Sequence, residues 1–206
     1  MKIAVLCPIA QRHAAFRPLL EAVLNRQTRK DFARIIYEND GPVGAARAET
    51  VRRAWAAGCG AAINFDADDM HADDRVERQM AELENGAEVC GSSVLFCVDL
   101  RTGGAVEKRE TAGVKDNTLA FTRESYEAHP FDAAARWGEC DGFIAANRDA
   151  VDLRDPALVV YCRHPLNTVA PWTSGLYGFD AERATAAVRA MPDLARYRAA
   201  AQIGIR

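Results

Sequence analysis

Short apolar runs alternate with longer segments of helical periodicity along the first 86 residues. The runs are bounded by polar or turn-forming residues and are typical of buried strands, over 2–7, 33–37 and 61–65. After each run, apolar residues recur at helical spacing, which predicts helices over 15–27, 43–57 and 74–85. Three consecutive strand–helix units favour a parallel sheet with right-handed crossovers, as in a Rossmann-like half.

The pattern changes after residue 86, where strand-like segments and short helices no longer alternate regularly. Strands are expected at 87–100, 105–110, 117–122 and 158–162, and helices at 123–129, 139–148 and, as an Ala/Arg-rich tail, 180–200. No internal repeat or low-complexity linker divides the sequence. We therefore expect a single domain over 1–206, with an α/β first half (1–86) and a mixed second half (87–206).

Charge and composition exclude several kinds of protein. The chain has 26 Lys and Arg against 29 Asp and Glu, a net charge of −3, so no basic field exists to hold nucleic acid. No apolar run approaches the roughly 20 residues of a spanning helix, and Pro8 ends the first run too early for a signal-peptide core. The six cysteines form no CxxC pair and favour buried free thiols. We expect a soluble cytoplasmic protein without membrane insertion.

The strongest chemical signal is Asp66-Ala67-Asp68-Asp69, directly after the third predicted strand. The carboxyl ends of parallel strands form the edge at which open sheets bind ligands. Crowded carboxylates repel one another unless a cation is present, and Mg²⁺ or Mn²⁺ would leave positions free for phosphate oxygens. The plainer interpretation is an acidic loop before a helix, in which Asp73 and Asp74 cap the next helix. We favour metal–phosphate chemistry at this segment.

Two further residues gain meaning from their position in the predicted sheet. Asp40 ends the second strand, and because neighbouring strand ends lie close together we expect it to share a crevice with Asp68. Arg47, on the following helix, could reach a phosphate in that crevice. Taken alone, Asp40 is typical of a turn, and Arg47 is typical of a solvated helix face. The histidines at 13, 71 and 129 have no partner pattern, and we predict structural roles for them.

The order of these motifs resembles the glycosyltransferase family 2 domains of the GT-A fold. In that family a first strand reaches Pro-Thr-Tyr-Asn, and then Gln-Thr, Asp-Asp-Gly-Ser, Ala-Arg-Asn, Leu-Asp-x-Asp-Asp and Pro-Asp-Arg-Leu-x-x-Gln follow. The resemblance covers residues 1–80 closely, through the loop from Pro8 to Arg12, Gln27-Thr28, Asn39-Asp40-Gly41, Ala46-Arg47, Phe65-Asp66-Ala67-Asp68-Asp69 and Asp74-Arg75-Val76-Glu77-x-Gln79. Looser similarities follow at Asn117-Thr118-Leu119-Ala120-Phe121-x-Arg123, Trp137-Gly138-Glu139-Cys140-Asp141 and Arg163-His164-x-x-Asn167-Thr168.

This resemblance implies a GT-A-like, Rossmann-type mixed sheet flanked by helices. It also implies a metal-dependent inverting glycosyltransferase that uses Mn²⁺ or Mg²⁺. The donor would be a nucleoside-diphosphate sugar, which we expect to be UDP-linked, and the acceptor a hydroxyl of a glycan or glycoconjugate. Residues 1–86 would bind the nucleotide-sugar, and residues 87–206 would form the acceptor side.

By the same resemblance, Asp40 would accept a hydrogen bond from the base, and Asp66 and Asp68 would help hold the ribose, metal and diphosphate. Either Asp68 or Asp69 would be the direct metal ligand, with His164 as a further metal or phosphate contact. The nucleotide-sugar site would also include Pro8, Ile9, Arg12, Arg47 and Ala67. Glu139 would be the general base that takes the acceptor's proton, with Asp141 as its rival.

Three departures from the family pattern leave alternatives open. The first loop reads Pro8-Ile9-Ala10-Gln11, Ala48 stands where Ala-Arg-Asn has Asn, and Cys140 stands at the usual Asp. A non-catalytic nucleotide-sugar or glycan-binding module on the same fold would tolerate these changes. A nucleotidyltransferase would share the sheet and the carboxylates. That class usually has a Gly-rich loop after its first strand, whereas the loop after the first predicted strand here contains no glycine. A nucleic-acid base as acceptor gains no support from the acidic balance.

Overall fold

The computed structural model describes residues 1–110, 113–167 and 180–203. Its first half follows the predicted alternation, with β1 (Ile3–Ile9), α1 (Arg17–Arg26), β2 (Phe32–Glu38), α2 (Val43–Ala56), β3 (Ala61–Asn64) and α3 (Arg75–Glu84). β1 pairs in parallel with β2 on one side and with β3 on the other. The predicted parallel arrangement of the first three strands is confirmed.

The burial of these strands accounts for their composition. β1 and β3 lie inside the sheet and are almost completely buried, which requires apolar side chains on both faces. β2 is an edge strand, and Arg34 and Glu38 are exposed on it.

The second half contains short strands and helices. They are β4 (Met70–His71), β5 (Val89–Gly91), β6 (Val94–Asp99), β7 (Ala105–Arg109), β8 (Ala120–Thr122), α4 (Arg123–Ala128), α5 (Asp141–Ala146), β9 (Val151–Asp152), β10 (Val159–Arg163), α6 (Ala181–Arg189) and α7 (Leu194–Ile203). A six-stranded mixed sheet has the order β2-β1-β3-β8-β5-β9, and a four-stranded sheet has the order β4-β10-β6-β7. Short 3-10 turns occupy Gln11–Phe16 and Asp116–Thr118.

Two predicted strand segments differ from the structure. The segment 87–100 divides into β5 and β6, which belong to different sheets. The break falls at Ser93, whose backbone N–H and hydroxyl both donate to the Asp152 carboxylate, at 2.9 and 2.5 Å. The segment 117–122 begins as a 3-10 turn, and only its last three residues form β8.

The direction of β8 overturns one expectation about the ligand edge. The sequence predicts a crevice at the carboxyl ends of the strands near residues 37, 65 and 121, which correspond to β2, β3 and β8. β8 runs antiparallel to β3, with Ala61 opposite Thr122 and Ile63 opposite Ala120. Its amino end therefore lies at that edge, and the turn residues Asp116 and Asn117 contribute side chains there.

Helices cover both faces of the six-stranded sheet. One apolar cluster joins β1 and β3 to α1, α3, α6 and α7, and a second joins them to α2 and α5. The predicted mixed sheet flanked by helices is confirmed. Among the helices of the described ranges, none combines the length and apolar character needed to cross a membrane.

The start of α3 is capped by Gln27, a motif residue for which the sequence predicted no capping role. Asp74 occupies the N-cap position, but its side chain makes no capping bond. The buried Gln27 instead accepts the Val76 N–H at 3.0 Å and donates to the Ala72 carbonyl at 2.8 Å. Asp73 pairs with Arg26. The predicted capping by Asp73 and Asp74 is wrong, because the end of α1 brings an amide to this helix terminus.

We expect Gln27→Ala to lower the free energy of unfolding by about 1–3 kcal/mol, since it leaves buried backbone groups at the start of α3 unpaired. Asp74→Ala should change it by at most about 0.5 kcal/mol, because no capping bond is lost. Urea unfolding of both variants against wild type measures the difference. A larger loss for Asp74→Ala would contradict the assignment of the cap.

Candidate active site

A cavity of about 710 Å³ opens at the carboxyl ends of β1, β2 and β3. Its lining comes from the loops that follow these three strands, from the start of α2 and from the segment 136–141. The four-stranded sheet contributes Leu95, Lys108 and Tyr161. The chain thus builds one concave site from segments that span most of its described length.

Most of the residues singled out from the sequence line this cavity: Pro8, Ile9, Arg12, Asp40, Arg47, Asp66, Asp68, Asp69, Glu139 and Asp141. Ala67 is buried in the core instead. His164 is buried behind the cavity wall and reaches it through a bond to Asp68. Thr168, the last residue of the C-terminal motif, lies outside the described residues.

Asp40 joins the ends of the first two strands. Its Oδ1 accepts the backbone N–H of Gln11 at 2.7 Å, which fixes the loop after β1 against the loop after β2. Asn39 accepts the Gly41 N–H at 2.8 Å and closes the turn. The Asp40 carboxylate is exposed to the cavity, as a residue that binds a ligand must be.

Asp68 lies between two histidines. Its Oδ2 is 2.9 Å from His164 Nε2 and 3.8 Å from His13 Nδ1, and Asn167 Nδ2 lies 3.4 Å from the same oxygen. Burial raises the pKa of this carboxyl, but the His164 hydrogen bond and the positive potential of both imidazoles outweigh it, and the pKa falls to about 2. Asp68 therefore stays ionised at neutral pH.

The ligand atoms of His13, Asp68 and His164 lie within 4.8 Å of one another. His13 Nε2 lies 2.9 Å from the Leu166 carbonyl, to which it must donate, so Nδ1 is the ring nitrogen that faces the carboxylate. An imidazole nitrogen and a carboxylate oxygen that converge in this way can share a cation. We predicted a structural role for His13 because it has no motif of its own. Only the 3-10 turn after β1 brings it to Asp68.

Asp69 has a different environment. Its Oδ1 accepts the backbone N–H of Cys162 at 2.9 Å, and its Oδ2 accepts from Asn117 Nδ2 at 2.7 Å. Burial, followed by the charges of Asp68 and Asp66, raises its pKa well above the ordinary value. Of the two candidate metal ligands, Asp68 is the one with imidazole nitrogens beside it, whereas Asp69 connects β10 to the turn before β8.

Arg47 is the centre of a buried ion-pair network. Its Nη2 donates to both oxygens of Asp66, at 2.8 and 3.0 Å, and its Nε donates to Glu139 Oε1. Burial opposes the charged guanidinium, but Asp66 and Glu139 outweigh this effect and raise the Arg47 pKa. Burial is also the main reason why the Asp66 pKa is raised. With 4% of its surface exposed, Arg47 is not the solvated helix residue of the plainer interpretation.

Glu139 precedes α5, which begins at Asp141 and not at 139 as predicted. Its carboxylate pairs with Arg47, so it does not cap that helix. The segment before it is held against α2: Gly44 donates its N–H to the Ala135 carbonyl at 3.0 Å, and a Cβ on Gly44 would lie 2.0 Å from the Asp132 carbonyl oxygen. Gly138 adopts φ +66°, which turns the chain before Glu139. Asp141 is exposed and lines the cavity.

The cavity has an excess of negative charge. Five cationic side chains line it (Arg12, Arg47, Lys108, Lys115 and Arg136) against eight carboxylates (Asp40, Asp66, Asp68, Asp69, Glu110, Asp116, Glu139 and Asp141). An anionic ligand such as a diphosphate would be repelled by this balance unless a cation entered with it.

No protein-family model matches the sequence, and neither does any curated protein. The fold matches solved structures of TarS from S. aureus. Its 1–349 fragment in complex with UDP-GlcNAc aligns with a TM-score of 0.59 over 86% of this chain and 62% of that chain, at 12% sequence identity. The same fragment in complex with UDP gives 0.58 over 80% and 61%, at 14% identity.

This chain spans about three fifths of the length of those TarS chains. These structural neighbours are GT-A glycosyltransferases. The expected GT-A-like fold is therefore confirmed, and it is the fold alone that identities of 12–14% establish.

Proposed function

We propose that this protein is a metal-dependent inverting glycosyltransferase, which moves a sugar from a UDP-linked donor to a hydroxyl of a glycan or glycoconjugate. The observation that carries the proposal is the cavity. It brings together Asp40, the cluster of His13, Asp68 and His164, and the Arg47–Glu139 pair. TarS, whose fold is similar, is seen with UDP and with UDP-GlcNAc.

The nucleotide would lie over the ends of β1 and β2. Asp40 would accept the N–H of uracil with an oxygen directed into the cavity. Pro8 and Ile9 would provide an apolar surface for the base and ribose, and Arg12 would stand beside the phosphates. Arg12 is itself held to the loop after β10, since its Nε donates to the Leu166 carbonyl at 3.2 Å.

His13 and Asp68 would hold the divalent cation. His164 would orient the Asp68 carboxylate, because its Nδ1 accepts the Leu166 N–H at 3.2 Å and its Nε2 donates to Asp68. Imidazole nitrogen beside a carboxylate suits Mn²⁺ better than Mg²⁺, which prefers oxygen ligands alone. Such a cation, when bound, offsets the charge that develops on the departing diphosphate. The excess of acidic side chains in the cavity also supports a bound cation, because the donor's diphosphate adds further negative charge.

Glu139 would be the general base. Arg47 binds its Oε1 and orients the carboxylate, and Glu139 itself is only 4% exposed. Direct displacement by an acceptor hydroxyl needs one base and a leaving diphosphate, and it inverts the anomeric centre. Asp141, two residues later and exposed, is the alternative base. The acceptor would approach along the wall of Leu95, Lys108 and Tyr161.

A donor screen tests this proposal. The protein would be incubated with Mn²⁺ and a panel of UDP-, GDP- and dTDP-sugars, and release of the free nucleoside diphosphate would be measured with and without a library of glycan acceptors. We expect turnover of at least one UDP-sugar, with mass spectrometry showing the glycosylated acceptor. Affinity without turnover under all conditions would favour the non-catalytic binding module instead.

A further inference from the structure

Two side chains of the cavity wall each keep one buried polar atom without a partner among the residues that the structure describes. These atoms are Arg47 Nη1 and Asn117 Oδ1, on residues that are each 4% exposed. An unpaired donor or acceptor in a buried site is costly, so a ligand that supplies the missing partners is favoured there.

The orientation of Asn117 is fixed by its neighbours. Its Nδ2 donates to Asp69 Oδ2 at 2.7 Å, and its backbone carbonyl accepts from the buried Arg75 at 2.9 Å. Because Nδ2 is engaged by Asp69, the amide oxygen Oδ1 is the atom left without a partner among the described residues, and it can only accept a hydrogen bond.

Arg47 is fixed in the same way. Its Nε and Nη2 are engaged by Glu139 and Asp66, which leaves Nη1 as the group available to a ligand. Within the described part of the chain, the cavity lining thus offers the unpaired N–H groups of a guanidinium that holds the proposed base, and one unpaired carbonyl acceptor.

The chemistry of a fitting ligand follows from this pair. A phosphate or carboxylate only accepts hydrogen bonds, so it would satisfy Arg47 but leave Asn117 unpaired. A cation would suit the Asn117 oxygen but would be repelled by the guanidinium. Hydroxyl groups, and an amide beside a hydroxyl, both donate and accept. A sugar ring meets both requirements, whereas a diphosphate meets one.

We propose that Arg47 Nη1 and Asn117 Oδ1 form the subsite for the transferred sugar, and that Asn117 determines which sugar is accepted by taking a hydrogen bond from one of its hydroxyl or acetamido groups. This inference rests on the proposed function, since it assumes a nucleotide-sugar donor. It places the sugar at the guanidinium that pairs with Glu139, and the diphosphate at Asp68.

The test combines two Asn117 variants with matched donor analogues. Calorimetry in the presence of Mn²⁺ would give the Kd of UDP, of the UDP-sugars that wild type binds, and of their deoxyfluoro analogues, in which one hydroxyl can no longer donate. Asn117→Ala removes the acceptor, whereas Asn117→Asp keeps an oxygen at that position but loses the bond to Asp69. Asn147→Ala, at an amide outside the cavity, serves as the control.

We expect wild type to bind one fluorinated donor about tenfold more weakly than its parent, which corresponds to one lost hydrogen bond. Asn117→Ala should bind that pair equally and keep its UDP affinity within about twofold. Asn117→Asp should retain the discrimination, as should the Asn147→Ala control. Non-additivity between the fluorine substitution and Asn117→Ala would show that both remove the same bond.

Five results would overturn the proposal. If Asn117→Ala lowered the affinities for UDP and for the UDP-sugar equally, Asn117 would not contact the sugar. If it lowered the Mn²⁺ affinity, Asn117 would be a metal ligand. Identical behaviour of the two Asn117 variants would reduce Asn117 to a support for Asp69. If wild type bound UDP but discriminated no analogue, the sugar-subsite proposal alone would be wrong. If wild type bound no nucleotide, the proposed function would be wrong as well.

Discussion

Glu139→Gln should lower the rate of sugar transfer by about 10²–10⁴-fold, the usual contribution of a general base. The amide keeps the shape of the side chain and can still accept from Arg47, but it cannot take the proton of the acceptor hydroxyl. UDP binding should stay within about twofold of wild type, since the nucleotide lies at Asp40 and Asp68 in the proposed site. Steady-state kinetics and calorimetry on the same preparation measure both quantities.

Asp141→Asn separates Glu139 from its rival. We expect this variant to lose much less activity, because Asp141 is exposed and has no guanidinium that orients it among the described residues. Glu124→Gln, at an exposed position on α4, is the matched control and should behave as wild type. If Asp141→Asn is the inactive variant, the role of base passes to Asp141. If both retain activity, the proposed catalytic site is wrong.

Asp68→Asn should weaken Mn²⁺ binding by about 100-fold or more, since loss of an outer-shell partner alone costs about 10–100-fold. His13→Asn should also weaken it, although the sequence alone did not connect His13 to a metal. UDP affinity should fall in both variants, and EDTA should lower that of wild type to a similar level. Titration of Mn²⁺ by calorimetry, followed by UDP with Mn²⁺ or EDTA, checks these expectations.

Two control variants define the specificity of this effect. His129→Asn changes an exposed histidine, and Asp73→Asn changes a carboxylate that pairs with Arg26; neither residue lines the cavity. Both should bind Mn²⁺ as wild type does. Equal UDP affinity with Mn²⁺ and with EDTA in wild type would contradict metal dependence, and undiminished Mn²⁺ binding by Asp68→Asn would exclude Asp68 as the ligand.

The local pattern of the chain was sufficient to predict the first half of the fold. Apolar periodicity located β1, β2 and β3 and the helices after them, because a buried parallel strand and an amphipathic helix each leave a characteristic pattern in their own residues. The same reasoning predicted that Asp40 and Asp68 share one crevice, since parallel strands end at a common edge, and both residues line the cavity. Sequence order, and not any single motif, carried the resemblance to the GT-A fold.

The tertiary structure decided which distant residues meet. Arg47 and Glu139 are 92 positions apart, and Asp68 and His164 are 96 apart, so no local pattern reports either contact. The antiparallel direction of β8 brought Asn117 to the ligand edge, and the end of α1 brought Gln27 to the start of α3. The sequence determined the elements of the first half and the positions of the carboxylates. Chain reversal and packing determined the partners of those carboxylates, because burial and pairing act across space and not along the chain.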